Sequence, residues 1–394
     1  MRGYTSKYEF LLYLVNQPEL LIFAEAIRGV KCLFIPRVGY IINDAQLASD
    51  ILLHPNFGSS GDGAMGSLIT PFTGKYGLFN MDGEDHTAFK RTMMKCFTRE
   101  YVNHCIDVAG SAILADLQAQ LRAGDTVDMV HLTRQFTTAV MLYMFGVDLA
   151  TIDLVSVEPL ITDAVMHYMS KLHLTKIALT PKEEHSVFAR IAMINTLIDG
   201  HQRANQDDSL LQMVRDTGLS KDEARGMMIA LLVAGTETTN VTIPRVLALL
   251  VDSRQYHRLK TQHELMPSTL EEGVRVTTAS PMIPRVVDTD THIGDYHFKA
   301  GRRVLMIVYN MMKQEGDLAS ARQFDITRSI PQKLRHLNFG RGAHFCLGFP
   351  LAQRELELVL HSLLDLDKSP EIISRRYSRG QTFPAYTSLK VRLV

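Results

Sequence analysis

A mainly α-helical chain with a few short strands is the fold class that this sequence of 394 residues predicts. Apolar residues recur at helical spacing through most of the middle of the chain. Ser220 and Glu223 form a capping box before an apolar run that extends to Leu250, which predicts a long helix through the centre of the protein. Patterns typical of strands are confined to short segments near the start and in the last third. Helices should therefore outnumber strands and form the core.

Capping residues and helix breakers define the elements in chain order. Before the central helix we expect a hairpin over 32–42, a helix over 45–53, a long loop over 56–80, and helices from Asp82 to Met94, from Asp125 or Asp128 to Met144, and over about 154–172 and 182–203. The apolar content of the long loop favours a functional lid over a disordered segment. After the central helix we expect a helix from Pro267, strands within 291–309, a helix after Cys346 to about Leu366, and a final hairpin.

The composition favours one soluble unit and argues against several classes of protein. The 42 basic and 42 acidic residues balance, so the charge gives no reason to expect nucleic acid or an anionic membrane as a partner. The four cysteines are too few for a disulfide framework and fit a reducing cytoplasm. The apolar run from Phe10 to Ala24 is short and contains polar residues, so no membrane span is expected. Without a visible linker or repeat, we expect a single domain over residues 1–394.

A glycine-rich segment around one cysteine carries the first chemical signal. Gly340, Gly342 and Gly348 allow positive φ and close backbone approach, which indicates a tight loop against something bulky and flat. Cys346 lies where a helix begins, and the free N–H groups and dipole there favour a thiolate. Such a thiolate could be the single axial ligand of a haem iron. The alternative is a buried structural cysteine, which leaves the glycines unexplained.

A polar patch within the central helix carries the second signal. Gly235 costs about 1 kcal/mol relative to alanine in a helix interior, and a flat ligand crossing the helix would be one reason for it. Glu237 and Thr238 put an acid and a hydroxyl beside that gap, where they could relay protons. A helix kinked by small residues is the alternative.

These segments resemble the cytochrome P-450 superfamily. The glycine-rich segment matches the haem-binding signature of that family at every defining position, the central patch matches its oxygen-activating pattern, and Glu272-x-x-Arg275 matches a structural ion pair. The resemblance implies the cytochrome P-450 fold, a helix-rich single domain with small β-sheets and haem between a long central helix and a Cys-ligand loop. The residues that carry the resemblance are Phe339, Gly340, Gly342, His344, Cys346 and Gly348, then Ala234, Gly235, Glu237 and Thr238.

The resemblance also implies residue roles. Cys346 would be the metal ligand of haem b (iron protoporphyrin IX), with Glu237 and Thr238 catalytic in proton delivery. The implied cofactor-binding residues are His86, Lys90, Ala234, Gly235, Arg285, His336, Phe339, Gly340, His344, Cys346 and Gly348. Lys90 departs from the arginine of many relatives, although a lysine can still neutralise a haem propionate. Residues 311–316 also depart from the family pattern, which we interpret as a remodelled surface turn.

The implied function is monooxygenation of a hydrophobic or mixed-polarity small organic substrate by a cytoplasmic monomer. Electrons would come from a separate ferredoxin or flavodoxin with its reductase, since the scattered cysteines cannot hold an iron–sulfur cluster. The alternatives are a peroxide-using peroxygenase, which lacks the acid–alcohol pair in this family, and a non-catalytic haem-binding module. The sequence leaves the substrate and the site of oxidation open. The expected substrate contacts come from the 56–80 loop, a joint at 166–177 and later segments: Met65, Ile69, Phe72, Phe79, Met169, Val233, Ala279, Met282, Ile283 and Phe383.

Overall fold

Helices dominate this computed structural model, which describes residues 7–170, 180–204, 208–314 and 320–394 and confirms the mainly α prediction. The helices of this described part are α1 (Lys7–Asn16), α2 (Pro18–Ile27), α3 (Ala45–Leu53), α4 (Met65–Thr73), α5 (Gly83–Met93), α6 (Arg99–Arg122), α7 (Met129–Met144), α8 (Leu154–Ser170), α9 (Pro181–Gly200), α10 (Leu210–Arg215), α11 (Lys221–Asp252), α12 (Tyr256–Thr261), α13 (Met266–Thr277), α14 (Val308–Met311) and α15 (Phe349–Leu364).

The strands form small sheets at the edge of the helical core. They are β1 (Cys32–Ile35), β2 (Gly39–Ile42), β3 (Phe57–Gly58), β4 (Val127–Asp128), β5 (Ile283–Val287), β6 (Thr291–Ile293), β7 (Tyr296–Phe298), β8 (Arg303–Met306), β9 (Pro370–Tyr377) and β10 (Tyr386–Leu393). One sheet has the order β1-β2-β8-β5-β3, a second has β4-β10-β9, and β6 pairs with β7. Both predicted hairpins, β1–β2 and β9–β10, are antiparallel pairs.

The central helix is α11, whose 32 residues begin at the predicted capping box of Ser220 and Glu223. It packs against α4, α7, α13 and α15, and it carries Ala234, Gly235, Glu237 and Thr238 itself. Its length and apolarity would suffice for a membrane span, but 67% of the apolar window is buried inside the protein, as in the core helix of a soluble protein. The site therefore forms around this helix.

Two predicted surface features differ in the structure. The 56–80 segment, expected as a loop, contains α4, which packs on the central helix with its last residues close to Gly226. The expected surface turn at 311–316 is wrong for its first three residues, because Met311, Met312 and Lys313 are buried. Its last residues lie outside the described part of the chain. In both places tertiary packing overrides a local pattern that is polar or rich in glycine.

Candidate active site around Cys346 and the central helix

The cysteine loop folds through two short 3-10 turns, Leu337–Phe339 and Gly342–His344, before α15 begins. The amide of Cys346 donates to the carbonyl of Phe339 at 2.9 Å and closes the loop. Gly340 and Gly342 have φ of +79° and +65°, and a Cβ on Gly342 would lie 2.8 Å from the Leu52 carbonyl oxygen. These two glycines confirm the predicted tight loop. Gly348 instead has an ordinary φ of −79° and occupies the N-cap of α15.

The thiol of Cys346 accepts hydrogen bonds from the amides of Gly348 and Phe349 at the start of α15, as the sequence predicts. Burial nevertheless dominates and raises the pKa of Cys346, while the two amides and Lys90 act in the opposite direction. The start of α15 alone is therefore not enough to favour the thiolate form of Cys346. A bound iron cation would supply the missing charge, because a coordinating thiol is deprotonated outright. The loop presents one sulfur with aligned donors, which suits an axial ligand.

Lys90 holds the cysteine loop. Its ammonium group, on α5, donates to the carbonyls of Ala343 and Phe345, on either side of His344. The sequence assigned Lys90 to a haem propionate, which stays a prediction, and in the structure the lysine contacts the loop backbone. The Lys90 charge also acts on Cys346, whose own charge raises the pKa of the lysine against the larger effect of burial. Lys90 is thus a positioning residue for the cysteine loop.

Replacing Lys90 with methionine is expected to loosen this loop while keeping the volume of the side chain. We expect the free energy of unfolding of the holoenzyme to fall by about 1 kcal/mol, because two partly solvated charge-assisted hydrogen bonds are lost. We also expect part of the reduced, carbon-monoxide-bound protein to show a thiol-type instead of a thiolate-type Soret band. The matched control is Lys95→Met, at an exposed lysine after α5. Equal behaviour of the two variants would contradict the role of Lys90.

The acid–alcohol pair lies on α11. The hydroxyl of Thr238 donates to the carbonyl of Ala234 at 2.9 Å, one turn earlier. The carboxyl of Glu237 is buried at 1% exposure, and its Oε1 has no hydrogen-bond partner within the described residues. Burial raises the pKa of Glu237 to about 7, with a further rise from Glu158 and an opposing effect from Arg134. Glu237 can therefore gain and lose a proton near neutral pH.

Gly235 has a packing role in this structure. A Cβ at Gly235 would lie 2.6 Å from the sulfur of Met141 on α7, so the missing side chain lets two helices approach closely. The sequence offered a flat ligand crossing the helix as one reason for this glycine, which stays a prediction, and the close packing on Met141 is a second reason. Ala234, one residue earlier, contributes the carbonyl that orients Thr238.

Two of the three residues predicted to bind the propionates, His86 and His336, have a buried ring nitrogen without a partner among the described residues. His86 is 2% exposed, and its Nδ1 has no hydrogen-bond partner in the described part of the chain. The Nε2 of His336 is buried and lies 3.9 Å from Glu271 Oε1, beyond hydrogen-bond distance. Arg285 is 6% exposed and uses Nη1 on the Pro284 carbonyl at 2.9 Å. Buried donors of this kind need acceptors, and the two carboxylates of a haem would fit them.

The ionisation of these groups follows from burial. Burial lowers the pKa of His86 to about 4, helped by His344 and Lys90, and burial also lowers the pKa of His336. Burial lowers the pKa of Arg285 to about 10, so its guanidinium stays charged at neutral pH. The arginine is thus the charged partner for an anion, and the two histidines are neutral hydrogen-bond partners.

Asp82 is a hub that sequence reasoning recognised only as a helix cap. It occupies the N-cap of α5, but its carboxylate makes no bond to that helix. It accepts instead from the amides of Ser59 and Ser60, from the Ser60 hydroxyl, and from His344 Nε2 at 2.8 Å. These bonds lower the pKa of Asp82 far below its usual range, against the effect of burial. His344 is therefore bound to Asp82, with its ring 4.0 Å from that of His86.

Behind the cysteine loop lies the predicted structural pair. Arg275 and Glu272 are fully buried and joined by two hydrogen bonds of 2.6 and 2.8 Å. Glu272 also accepts from Arg328 at 3.2 Å and from the amide of Asp325 at 3.0 Å. The ring of Phe339 packs on that of Phe349 at the start of α15, with the two ring centroids 4.9 Å apart.

The residues predicted to contact substrate are spread over several elements. Met65 and Ile69 lie on α4, Val233 on α11, and Phe79 in a short 3-10 turn where it is 40% exposed. The other described members are half-buried or buried in segments after α13 and before β10: Ala279, Met282, Ile283 and Phe383. The side chains of Phe72 and Met169 and most of the 166–177 joint lie outside the described residues. These substrate contacts therefore stay predictions.

Sequence reasoning missed several buried or half-buried charged residues, among them Arg134, Glu158 and Glu355. Arg134 on α7 and Glu158 on α8 influence Glu237, but nothing in their local sequence marks them. Glu355 on α15 is fully buried, and burial raises its pKa to about 8 against a smaller effect of Thr239. For Glu355 a signal was available, because it stands on the apolar face of an amphipathic helix, one turn after Leu351.

Comparison with known proteins places this geometry in context. Residues 30–366 match the family model described as Cytochrome P-450. The chain is 30% identical over 303 residues to mycinamicin IV hydroxylase/epoxidase of Micromonospora griseorubida, covering 74% of this chain and 72% of that protein. It is 34% identical to the cytochrome P-450 YjiB of Bacillus subtilis over 188 residues, a match that spans 47% of each.

A solved structure shows the same fold. The crystal structure of P-450 BioI in complex with an acyl carrier protein bearing hexadec-9Z-enoic acid has a TM-score of 0.79 at 19% identity. The alignment covers 96% of this chain and 98% of that chain. At that identity the likeness concerns the fold alone.

Proposed function

This chain belongs to the cytochrome P-450 family, and from that premise we propose that it inserts one atom of O2 into a hydrophobic or mixed-polarity small organic molecule and releases the other as water. The family binds haem b and comprises monooxygenases. The observation that carries the proposal is the buried Glu237 carboxyl beside Thr238, on a helix that packs against α15, whose start follows Cys346 closely. A proton donor and a lone thiol on adjacent elements suit oxygen activation.

Cys346 would ligate the haem iron, and Arg285, His86 and His336 would pair with the propionates. When bound, haem b supplies the binding and reductive activation of O2. The described residues provide the rest of the site. Lys90 and the amides of Gly348 and Phe349 hold the sulfur and its loop in place, and Asp82 holds His344 against His86.

The acid–alcohol pair, Glu237 and Thr238, would deliver protons on the side of the site that α11 forms. The bond from Thr238 to the Ala234 carbonyl orients the hydroxyl, whose oxygen can accept a proton and pass one on. Because its pKa is about 7, Glu237 is present in both protonation states at neutral pH. A general acid must give up a proton and be protonated again in each catalytic cycle, and a pKa near neutral pH allows both steps.

Replacing Thr238 with alanine is expected to divert electrons from product to hydrogen peroxide. Without the hydroxyl, proton delivery loses its last donor, and we expect product formed per NADPH consumed to fall roughly tenfold. The measurement compares product, peroxide and NADPH, using a surrogate ferredoxin–reductase pair and a substrate found by its shift of the Soret band. Thr236→Ala is the matched control, since Thr236 makes the same bond to the carbonyl one turn back. An unchanged product yield per electron in the Thr238 variant would count against this role.

Electron delivery would require a separate ferredoxin or flavodoxin with its reductase. Exposed Arg91 and Lys95 lie beside Lys90, which contacts the cysteine loop, so the surface near Cys346 offers positive charge to an acidic partner. Reconstitution with a ferredoxin or with a flavodoxin would decide between the two partners. We further propose that the protein acts as a monomer in the cytoplasm.

Two alternative functions are separable by experiment. A peroxygenase would form product from hydrogen peroxide without NADPH, but in this family such enzymes lack the acid–alcohol pair that Glu237 and Thr238 form. A non-catalytic haem-binding module would show the thiolate-type carbon-monoxide band and no product with any surrogate electron donor. The absence of a haem spectrum would contradict all three readings. The half-buried apolar residues Ile69, Val233 and Met282 support a largely apolar substrate.

A further inference from the structure

A polar seam runs between α7, α8 and the central helix on the side of Glu237. On α8, Glu158 is only 3% exposed, and its Oε1 accepts a hydrogen bond of 2.6 Å from Thr162. Its other oxygen lies 3.7 Å from Nδ1 of His131, whose side chain is 55% exposed on α7. The carboxylate of Glu158 is thus buried but reaches an imidazole that contacts solvent.

The same seam contains buried polar atoms without protein partners. Within the described residues, no hydrogen bond is made by Glu237 Oε1, Arg134 Nε, Thr138 Oγ1 or Asn240 Nδ2. Arg134 lies one turn after His131 on α7, and Asn240 lies one turn after Glu237 on α11. Thr137 joins the two helices by donating to Asn240 Oδ1 at 2.8 Å. Buried polar groups are satisfied in native proteins, so ordered water is the expected partner of these atoms.

We propose that His131, Glu158 and Arg134 form the solvent end of a proton route to Glu237, completed by ordered water between α7, α8 and α11. The inference rests on the proposed monooxygenase function and deepens it. A proton passes from His131 Nδ1 to Glu158 and through water to Glu237, while solvent reprotonates His131 at Nε2. No electron moves, and each proton that Glu237 delivers is replaced by one from bulk solvent.

The charges along the seam suit this direction of transfer. Glu158 raises the pKa of Glu237 and so favours its uptake of a proton, while Arg134 favours the anion that remains after delivery. These are the charged groups that face Glu237 from α8 and α7. A second buried carboxyl with a raised pKa, Glu355, lies on α15 beside Thr239, and neither Glu158 nor Arg134 acts on it. Glu355 is therefore an internal control for the route.

Hydrogen–deuterium exchange of the Glu237 carboxyl tests the route in the oxidised holoenzyme without requiring turnover. After mixing into D2O, the infrared C=O band of each protonated buried carboxyl shifts when its proton exchanges, and Glu237→Gln and Glu355→Gln assign the two bands. In Glu158→Gln, whose amide cannot relay protons as a carboxyl does, we expect exchange at Glu237 to slow at least tenfold. Exchange at Glu355 should stay unchanged.

His131→Gln should slow exchange at Glu237 in the same way, whereas His257→Gln, at an exposed histidine on α12, should not. Native exchange at Glu237 in the Glu158 variant would overturn the inference. Equal slowing of exchange at Glu237 and Glu355 would also overturn the inference, because it would indicate a general change in the local opening of the protein to solvent. The proposed function fails separately, if native holoenzyme lacks the thiolate-type carbon-monoxide band.

Discussion

The Cys346→Ala variant is expected to lose the axial ligand of the haem and all monooxygenase activity. The sulfur of Cys346 accepts hydrogen bonds from the amides of Gly348 and Phe349 at the start of α15. Alanine has no atom that could ligate the iron in that position. We expect the reduced, carbon-monoxide-bound variant to lack the thiolate-type Soret band, and product formation to fall below detection. Haem content measured after purification should fall as well, because the iron–sulfur bond contributes to retention.

The matched control is Cys32→Ala, which removes a half-buried thiol from β1. That variant should keep the spectrum and the activity of the native protein. A thiolate-type band in Cys346→Ala would refute the assignment of the ligand. Loss of the band in both variants would show that the spectrum reports stability and not ligation.

The Glu272→Gln variant is expected to lose about 3–5 kcal/mol of the free energy of unfolding, the cost of removing one partner from a buried ion pair. Glu272 is fully buried and accepts from Arg275, Arg328 and the amide of Asp325. A neutral amide removes the charge that pairs with the fully buried Arg275 guanidinium. Chemical denaturation of the holoenzyme measures the change, with the haem band and the far-ultraviolet circular dichroism as separate probes.

Glu357→Gln provides a control with the same geometry in a different environment. Glu357 pairs with Arg354 three residues away at 2.8 Å, but the side chains are 32% and 30% exposed. Since surface pairs contribute about 0–1 kcal/mol, we expect a change below 1 kcal/mol there. Similar losses in the two variants would mean that burial does not set the value of the Glu272 pair.

Local patterns predicted many of the elements correctly. The helix expected over 45–53 is α3, because Asp44 caps its start and Pro55 follows its end. The capping box at Ser220 fixes the start of α11, and Asp128 proves to be the N-cap of α7. Helix starts and stops are local events that depend on a few neighbouring side chains, so one sequence can reveal them.

The sequence by itself determined the order of the helices, the cysteine loop and the family to which the chain belongs, because caps, glycine positions and spacing are local properties. Only the tertiary structure decided that Lys90 holds the cysteine loop, that Gly235 admits Met141, and that burial of Cys346 outweighs the helix start. Glu158 and Glu237 lie far apart in the chain, and only the tertiary structure brings them close enough for their charges to interact. The physical reason is that burial and charge act through space, so a pKa depends on helices that pack together and not on residues that follow one another.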